Sequence, residues 1–64
     1  MKKSVGEMIA MTRRRAALTQ SRLAERLGVS QSRVADLEAD RCSPTVDMLR
    51  RVAKALGAEP GDLI

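Results

Sequence analysis

The feature that most limits the fold of this chain is its lack of aromatic side chains: none of its 64 residues is Phe, Tyr or Trp. The core must therefore come from Leu, Val, Ile, Met and Ala. Because the aromatic and β-branched residues suited to strands are scarce, this composition favours helices. A chain this short buries only about 60% of the surface that its unfolded form exposes. We therefore expect one small domain of marginal stability over residues 1–64.

Hydroxyl residues precede four segments whose apolar residues recur at helical spacing, and Ser and Thr are favoured helix N-caps. The predicted helices cover residues 5–16, 20–27, 31–39 and 46–56, and their N-caps are Ser4, Thr19, Ser30 and Thr45. Gly28 and Gly57 follow the second and fourth helices, where a left-handed residue commonly ends a helix. Pro60 suits the first position of a short fifth helix. The pattern predicts an all-α domain.

The apolar positions of these helices define the expected core. In chain order they are Val5, Met8, Ile9, Thr12, Ala16, Leu23, Ala24, Leu27, Val34, Leu37, Val46, Leu49, Val52, Ala53 and Leu56. Val29 adds an apolar residue inside a turn. Leu63 and Ile64 are expected to pack back on the core from the end of the chain.

The stretch TQSRLAERLGVSQSRVADLE, residues 19–38, places two short helices on either side of one glycine. Helices joined by about three residues cross steeply, so the crossing needs a small side chain and the turn a permissive backbone. Ala24 and Gly28 meet these needs. Apolar residues occur at the positions that would seal the angle from inside: Leu23, Leu27, Val29, Val34 and Leu37. The spacing predicts a helix-turn-helix over residues 20–38.

The chain also resembles the lambda-repressor-like family of small DNA-binding domains, of the Cro/C1 or xenobiotic-response-element type. The resemblance covers residues 5–64 and includes LTQSRLAERLGVSQSRVADLE, the proline loop RCSPT and MLRRVAKALG. It implies a compact five-helix domain whose third helix enters the major groove. Two residues depart from the family, because Ala17 and Asp40 occupy positions that often carry glycine. Asp40 also places a negative charge near the presumed phosphate path.

The third predicted helix has a polar outward face if Val34 and Leu37 point inward. Its members are Gln31, Ser32, Arg33, Ala35 and Asp36. Recognition helices contact base edges mainly through their N-terminal residues, and glutamine pairs in a bidentate manner with adenine. Asp36 could accept from a cytosine amino group, but near phosphate it would repel. The resemblance implies base contacts at Gln31, Ser32 and Asp36, with Arg33 and Ala35 nearby.

Contacts to the DNA backbone are expected at the start of the second helix and after the third. A helix N-terminus offers unpaired N–H groups to a phosphate, and the family uses a glutamine here as a backbone clamp, which implies that role for Gln20. Arg41 and Ser43, in the following loop, are further candidates. Arg13 and Glu38 match a pair that forms a salt bridge in some family members, and we expect it to fix the first helix against the third.

Charge and residue types limit the classes of function. The formal charge is +4, which favours a polyanionic partner, with nucleic acid ahead of membrane. With no histidine and one cysteine, Cys42, the chain cannot form a zinc site or a Cys-His nucleophile, and it has no glycine-rich phosphate loop. We therefore predict no enzyme, no cofactor, no metal and no small-molecule ligand. Without a signal peptide or transmembrane run, a cytoplasmic protein is expected.

The leading functional hypothesis is a sequence-specific regulator of transcription, more specifically a repressor, that binds double-stranded DNA. A homodimer formed through residues 58–64 would place two third helices on a palindromic operator. The alternative is an antitoxin that binds a toxin protein and autoregulates its operon. The sequence does not separate these two, because toxin-binding surfaces lie in variable segments.

Overall fold

The structure, a computed structural model, describes residues 3–63, apart from the side chains of Pro60 and Asp62. Four α-helices follow one another, with no strand in the described residues: α1 (Val5–Arg15), α2 (Gln20–Leu27), α3 (Gln31–Glu38) and α4 (Val46–Leu56). The all-α prediction is confirmed. A fifth α-helix is not, because the chain after α4 forms a 3₁₀ helix over Pro60–Leu63, only four residues long.

Each α-helix begins directly after the hydroxyl residue predicted to cap it. The side-chain oxygens of Ser4, Thr19, Ser30 and Thr45 accept from the backbone N–H groups of Glu7, Arg22, Arg33 and Met48, each at 3.1 Å. Each contact satisfies a donor that the first turn of a helix otherwise leaves unpaired. The predicted bounds of all four helices are correct to within one residue.

All four helices also end in the same way, with a residue in the left-handed conformation. These residues are Ala17, Gly28, Asp40 and Gly57, with φ angles of 58°, 70°, 59° and 68°. After α1, the N–H of Leu18 donates to the carbonyl of Arg13 at 3.1 Å, which closes a Schellman-type turn. The two departures from glycine, Ala17 and Asp40, thus keep the backbone geometry that glycine would adopt.

The core takes side chains from every helix. The buried apolar residues are Ile9, Ala10, Leu23, Ala24, Leu27, Val34, Leu37, Val52, Ala53 and Leu63. Leu63 packs back on the core as predicted and is fully buried, whereas Ile64 lies outside the described residues. The terminal 3₁₀ helix is therefore anchored to the core by its last residue.

The predicted inward face of α1 is partly wrong. Its buried residues are Gly6, Ile9, Ala10 and Arg13, whereas Ala16 is exposed. The face is turned toward Arg13 because that side chain has a buried partner in α3. Thr12 is half-buried, and its hydroxyl donates to the carbonyl of Met8 at 2.8 Å, one turn earlier.

Val46 is the second correction to the predicted core. The helical spacing predicts that Val46 points inward, but it is 66% exposed. Val46 is the first residue of α4, immediately after the cap Thr45, and the inward face of the helix is formed only from Met48 and Leu49 onward. The apolar pattern of α4 includes its first residue, but burial begins one turn later, so the pattern predicts too long a buried face.

A close contact between backbones joins α1 to the end of α3. A Cβ atom on Gly6 would lie 2.6 Å from the carbonyl oxygens of both Leu37 and Glu38. The N–H of Gly6 donates to Oδ1 of Asp40 at 3.0 Å. These contacts fix the N-terminal turn of α1 against the C-terminal turn of α3.

Two arginines connect the C-terminal ends of α2 and α4. Arg26 of α2 donates from Nη1 to the carbonyl of Ala55 at 2.9 Å. In the opposite direction, Arg51 of α4 donates from Nη2 to the carbonyl of Leu27. Cations at helix C-termini satisfy unpaired carbonyls and favour the negative end of the helix dipole. Each helix therefore supplies the cation for the other's end.

Candidate nucleic-acid interface

The turn between α2 and α3 sets the direction in which α3 leaves the domain. Gly28 is left-handed, and the N–H of Val29 donates to the carbonyl of Ala24 at 3.0 Å. Ala24 is buried as the small residue that the crossing requires, and Val29 packs against the core from inside the turn. Because Ser30 then caps α3, the first turn of α3 projects from this corner.

The predicted base-contact residues lie on the solvent side of α3. Gln31, Ser32 and Arg33 are exposed in the first turn, and Ala35 and Asp36 are half-buried one turn later. The residues predicted to point inward, Val34 and Leu37, are 0% and 1% exposed. A helix held by two buried apolar side chains therefore presents a polar first turn to solvent.

A side chain of α2 supports Gln31. The hydroxyl of Ser21 donates to Oε1 of Gln31 at 3.0 Å, and both residues are exposed. Ser21 is not among the residues predicted from the sequence, because the contact joins residues ten positions apart in different helices. The only available sequence signal is a short hydroxyl side chain in the first turn of α2, which by itself is uninformative.

Gln20 also has a partner inside the protein. Its Nε2 donates to Oε1 of Glu38 at 3.0 Å, and the residue is half-buried at the start of α2. A glutamine amide carries two N–H donors, so this contact leaves one for another acceptor. The two predicted DNA-contacting glutamines are thus each held by a side chain from the other helix of the helix-turn-helix.

The carboxylate of Glu38 holds Arg13 through two hydrogen bonds. Nε of Arg13 lies 2.6 Å from Oε2 and Nη2 lies 3.0 Å from Oε1, while Nη1 donates to the carbonyl of Leu18 at 2.8 Å. The Arg13 and Glu38 side chains are only 11% and 7% exposed. This bidentate geometry connects α1, the turn after it and the end of α3 through one buried ion pair.

The environment of Glu38 changes its acidity. Burial alone would raise the pKa of this carboxyl, but hydrogen bonds from Arg13 and then Gln20 outweigh it, so the pKa lies below its ordinary value. The hydrogen bond to Glu38 in turn raises the pKa of Arg13. Glu38 is therefore ionised at neutral pH and remains a double acceptor for its two partners.

The other two acidic residues at α3, Asp36 and Asp40, are also engaged by neighbouring groups. Asp36 accepts from Nη1 of Arg41 at 3.4 Å, which places a cation against the carboxylate predicted to repel phosphate. Asp40 directs Oδ1 at the N–H of Gly6, and the positive end of the α1 dipole favours this charge. Ser43 is exposed in the same loop as Arg41.

Three further findings concern other kinds of site. Among the described residues, no three His, Cys, Asp or Glu side chains are grouped so as to hold a metal ion. None of the described helices combines the length and apolar character needed to cross a membrane. Cys42 is a half-buried free cysteine.

Two short helices joined by a tight glycine turn, the second presenting a polar first turn, define a helix-turn-helix domain. A family described as "Helix-turn-helix domain" matches residues 4–64, and the chain belongs to this family. This membership confirms the family resemblance found in the sequence and agrees with the prediction that the chain is not an enzyme.

Several known proteins are similar to the chain. The immunity repressor protein of Bacillus phage phi105 is 39% identical over 61 residues, which are 95% of this chain but only 42% of the repressor. An HTH-type transcriptional regulator of Sinorhizobium fredii is 41% identical over 64 residues, with coverage of 100% and 83%. The crystal structure of the P22 c2 repressor in complex with a synthetic operator superimposes with a TM-score of 0.88 at 27% identity, covering 98% and 96% of the two chains.

Proposed function

We propose that this chain is a sequence-specific regulator of transcription, acting as a repressor, that binds double-stranded DNA through α3 in the major groove. The observation that carries the proposal is the exposed polar first turn of α3, Gln31, Ser32 and Arg33, on a helix fixed by buried Val34 and Leu37. The similarity to proteins named as repressors, one of them in complex with an operator, supports the same function.

The side chains of α3 have distinct roles in this proposal. Gln31 pairs with adenine, Ser32 donates to or accepts from a base edge, and Arg33 contacts guanine or a phosphate. Ala35 is small enough to let the helix approach and to contact a thymine methyl group. Asp36 accepts from a cytosine amino group when Arg41 moves from its carboxylate to the DNA backbone.

Most of the proposed contacts to the DNA backbone come from uncharged groups. Gln20 uses its second amide N–H together with the free N–H groups at the start of α2, which attract a phosphate. Arg41 and Ser43 contact the DNA backbone from the loop after α3. The contact between Gln20 and Glu38 supports this role because it fixes the amide where α2 begins.

A homodimer would place two copies of α3 on a palindromic operator about 34 Å apart. The contact between copies is proposed to use residues 58–64. Leu63 is fully buried in its own domain, so the exposed members of this segment, such as Glu59 and Gly61, would carry the contact. The antitoxin alternative stays a prediction, because it depends on a partner surface that no described contact favours.

The experiment is a titration of purified protein onto labelled DNA from its own upstream region and onto a scrambled duplex, each at two salt concentrations. The variants are Gln31→Ala/Ser32→Ala and Gln20→Ala. We expect the native site to bind at least about a thousandfold more tightly than the scramble, the lower limit for specific recognition. The double variant should lose that preference, whereas Gln20→Ala should weaken both duplexes equally.

The opposite result would be weak and equal binding to both duplexes, with the same steep dependence on salt. Binding would then be due to charge alone, and α3 would not be a recognition helix. Circular dichroism of each variant distinguishes this result from loss of the fold. We expect the fold to be retained, because the substituted side chains are exposed or half-buried.

A further inference from the structure

The hydrogen bond from Ser21 to Gln31 crosses the helix-turn-helix at the surface. Ser21 lies in the first turn of α2 and Gln31 in the first turn of α3, and the hydroxyl donates to Oε1 at 3.0 Å. Both side chains are exposed, so the contact buries little apolar surface and contributes little to the core. Its main consequence is the orientation of the Gln31 amide.

Orientation matters because the two ends of a glutamine amide have opposite hydrogen-bonding character. To pair with adenine, Oε1 must accept from the N6 amino group while Nε2 donates to N7. An amide turned by 180° directs its N–H groups at the N6 amino group, and the pair is lost. An unsupported glutamine on a surface samples both orientations and must be ordered when it binds.

Ser21 restricts the Gln31 amide without using up the groups that face the base, and in the structure its hydroxyl is the donor and Oε1 the acceptor. A carbonyl oxygen has two lone pairs and the amide nitrogen two N–H donors. The Ser21 hydroxyl occupies one lone pair, so one lone pair and both N–H donors remain. In the observed arrangement the amide is held through its oxygen and keeps the acceptor and donor that adenine requires.

We propose that Ser21 is a positioning residue that gives Gln31 its preference for adenine. The proposal rests on the proposed function, because it assumes that Gln31 contacts a base. It assigns to α2 a share in specificity that does not require α2 to touch the base, and it makes Ser21 and Gln31 a unit that acts at one base pair.

The test begins by selecting bound duplexes from a random pool, which defines the preferred site of the wild-type protein. Gln31→Ala then identifies the base pair that Gln31 contacts. At that position, the affinities for the four base pairs are measured for wild type, Ser21→Ala, Ser21→Thr, Gln31→Ala and the double variant Ser21→Ala/Gln31→Ala.

We expect Ser21→Ala to lower the preference for adenine about three- to tenfold at that position alone, the effect of one hydrogen bond. Ser21→Thr keeps the hydroxyl and should keep the preference. In the Gln31→Ala background, Ser21→Ala should change nothing further. The salt dependence should stay the same in every variant, because no phosphate contact is lost.

An unchanged preference in Ser21→Ala would overturn the proposal. So would a uniform loss of affinity for all duplexes with a shallower salt dependence, which would place Ser21 on the DNA backbone. If the wild type selects no site, or if Gln31→Ala changes no position, the proposed function itself fails and this inference fails with it.

A measurement without DNA tests the positioning separately. The side-chain amide resonances of Gln31 in a nitrogen-15 NMR spectrum should move in Ser21→Ala and stay close to wild type in Ser21→Thr. No movement in Ser21→Ala would mean that the hydroxyl does not hold the amide. That outcome would overturn the inference even if Gln31 selects adenine.

Discussion

Ala17 and Asp40 share a left-handed conformation, but only one of their side chains offsets its cost. This conformation costs a residue other than glycine roughly 1–2 kcal/mol. Asp40 recovers part of that through the hydrogen bond from the N–H of Gly6 to Oδ1, at 3.0 Å. The methyl group of Ala17 can form no such bond, so the end of α1 keeps uncompensated strain.

Ala17→Gly is therefore expected to stabilise the domain by about 0.5–1 kcal/mol, because the relief of strain exceeds the added entropy of the unfolded chain. Urea unfolding would show this as a higher midpoint with an unchanged slope. Asp40→Gly is the matched control and should bring no gain, because it removes the bond to Gly6. Equal stabilisation by both substitutions would contradict the role assigned to Asp40.

Glu38→Ala should cost roughly 3 kcal/mol of unfolding free energy, because it leaves the buried guanidinium of Arg13 without its partner. A domain of this size has a total stability of only about 3–10 kcal/mol, so the loss is a large fraction of the total and should appear as a clearly lower urea midpoint. The control is Glu25→Ala, which breaks the exposed pair with Arg22, whose side chains are 71% and 69% exposed. It should cost less than about 1 kcal/mol. Similar losses in the two variants would contradict burial of the Arg13–Glu38 pair.

The lowered pKa of Glu38 also predicts a dependence of stability on pH. The pKa of the carboxyl in the unfolded chain is close to its ordinary value of 4.5, whereas the pKa in the folded protein is lower. The unfolded state therefore takes up the proton first as the pH falls. The contribution of Glu38 to stability is complete above the pKa of the unfolded state. It is lost as the pH falls through the pKa of the folded state.

Urea midpoints between pH 6 and pH 3 would test this for wild type and Glu38→Gln. Glu38→Gln cannot ionise, so the stability difference between the two proteins should shrink toward low pH. A difference that stays constant over this range would mean that Glu38 has the same pKa in both states.

At the scale of the elements, the sequence predicts what depends on neighbours along the chain. The N-caps, the left-handed ends and the helix-turn-helix spacing are set within four or five residues, and the helix bounds were correct for that reason. The buried face of α1 was not, because Gly6 and Arg13 are buried by contacts with the distant end of α3. The support of Gln31 by Ser21 could not be predicted for the same reason.

Gly6→Ala tests this contact between elements. In an isolated helix the change would stabilise by about 1 kcal/mol. Here the new Cβ would lie 2.6 Å from two backbone carbonyl oxygens of α3, so we expect destabilisation of roughly 1–3 kcal/mol as α1 is displaced. Thermal unfolding would measure it. The control is Gly61→Ala, where the added atom meets nothing within 4 Å. A higher melting temperature for Gly6→Ala would mean that the two helices are farther apart than described.

At the scale of the whole molecule, the net charge overstates the number of cations available to DNA. Twelve residues are Lys or Arg, but Arg13 is held in a buried ion pair. Arg26 and Arg51 donate to backbone carbonyls at the ends of α4 and α2. On the proposed interface the basic residues are Arg33 and Arg41, while Gln20 and Ser43 are neutral.

The salt dependence of binding should therefore be set by the interface and not by the total charge. Each phosphate neutralised by a cation contributes about −0.9 to the slope of log affinity against log salt concentration. Arg33→Ala and Arg41→Ala should each make the slope shallower by up to about 1 per domain. The matched control is Arg50→Ala, an exposed arginine of α4 outside the proposed interface. The slopes are measured on the selected duplex. An equal change in Arg50→Ala would mean that the affinity depends on the whole basic surface. The assignment of Arg33 and Arg41 to phosphate contacts would then be wrong.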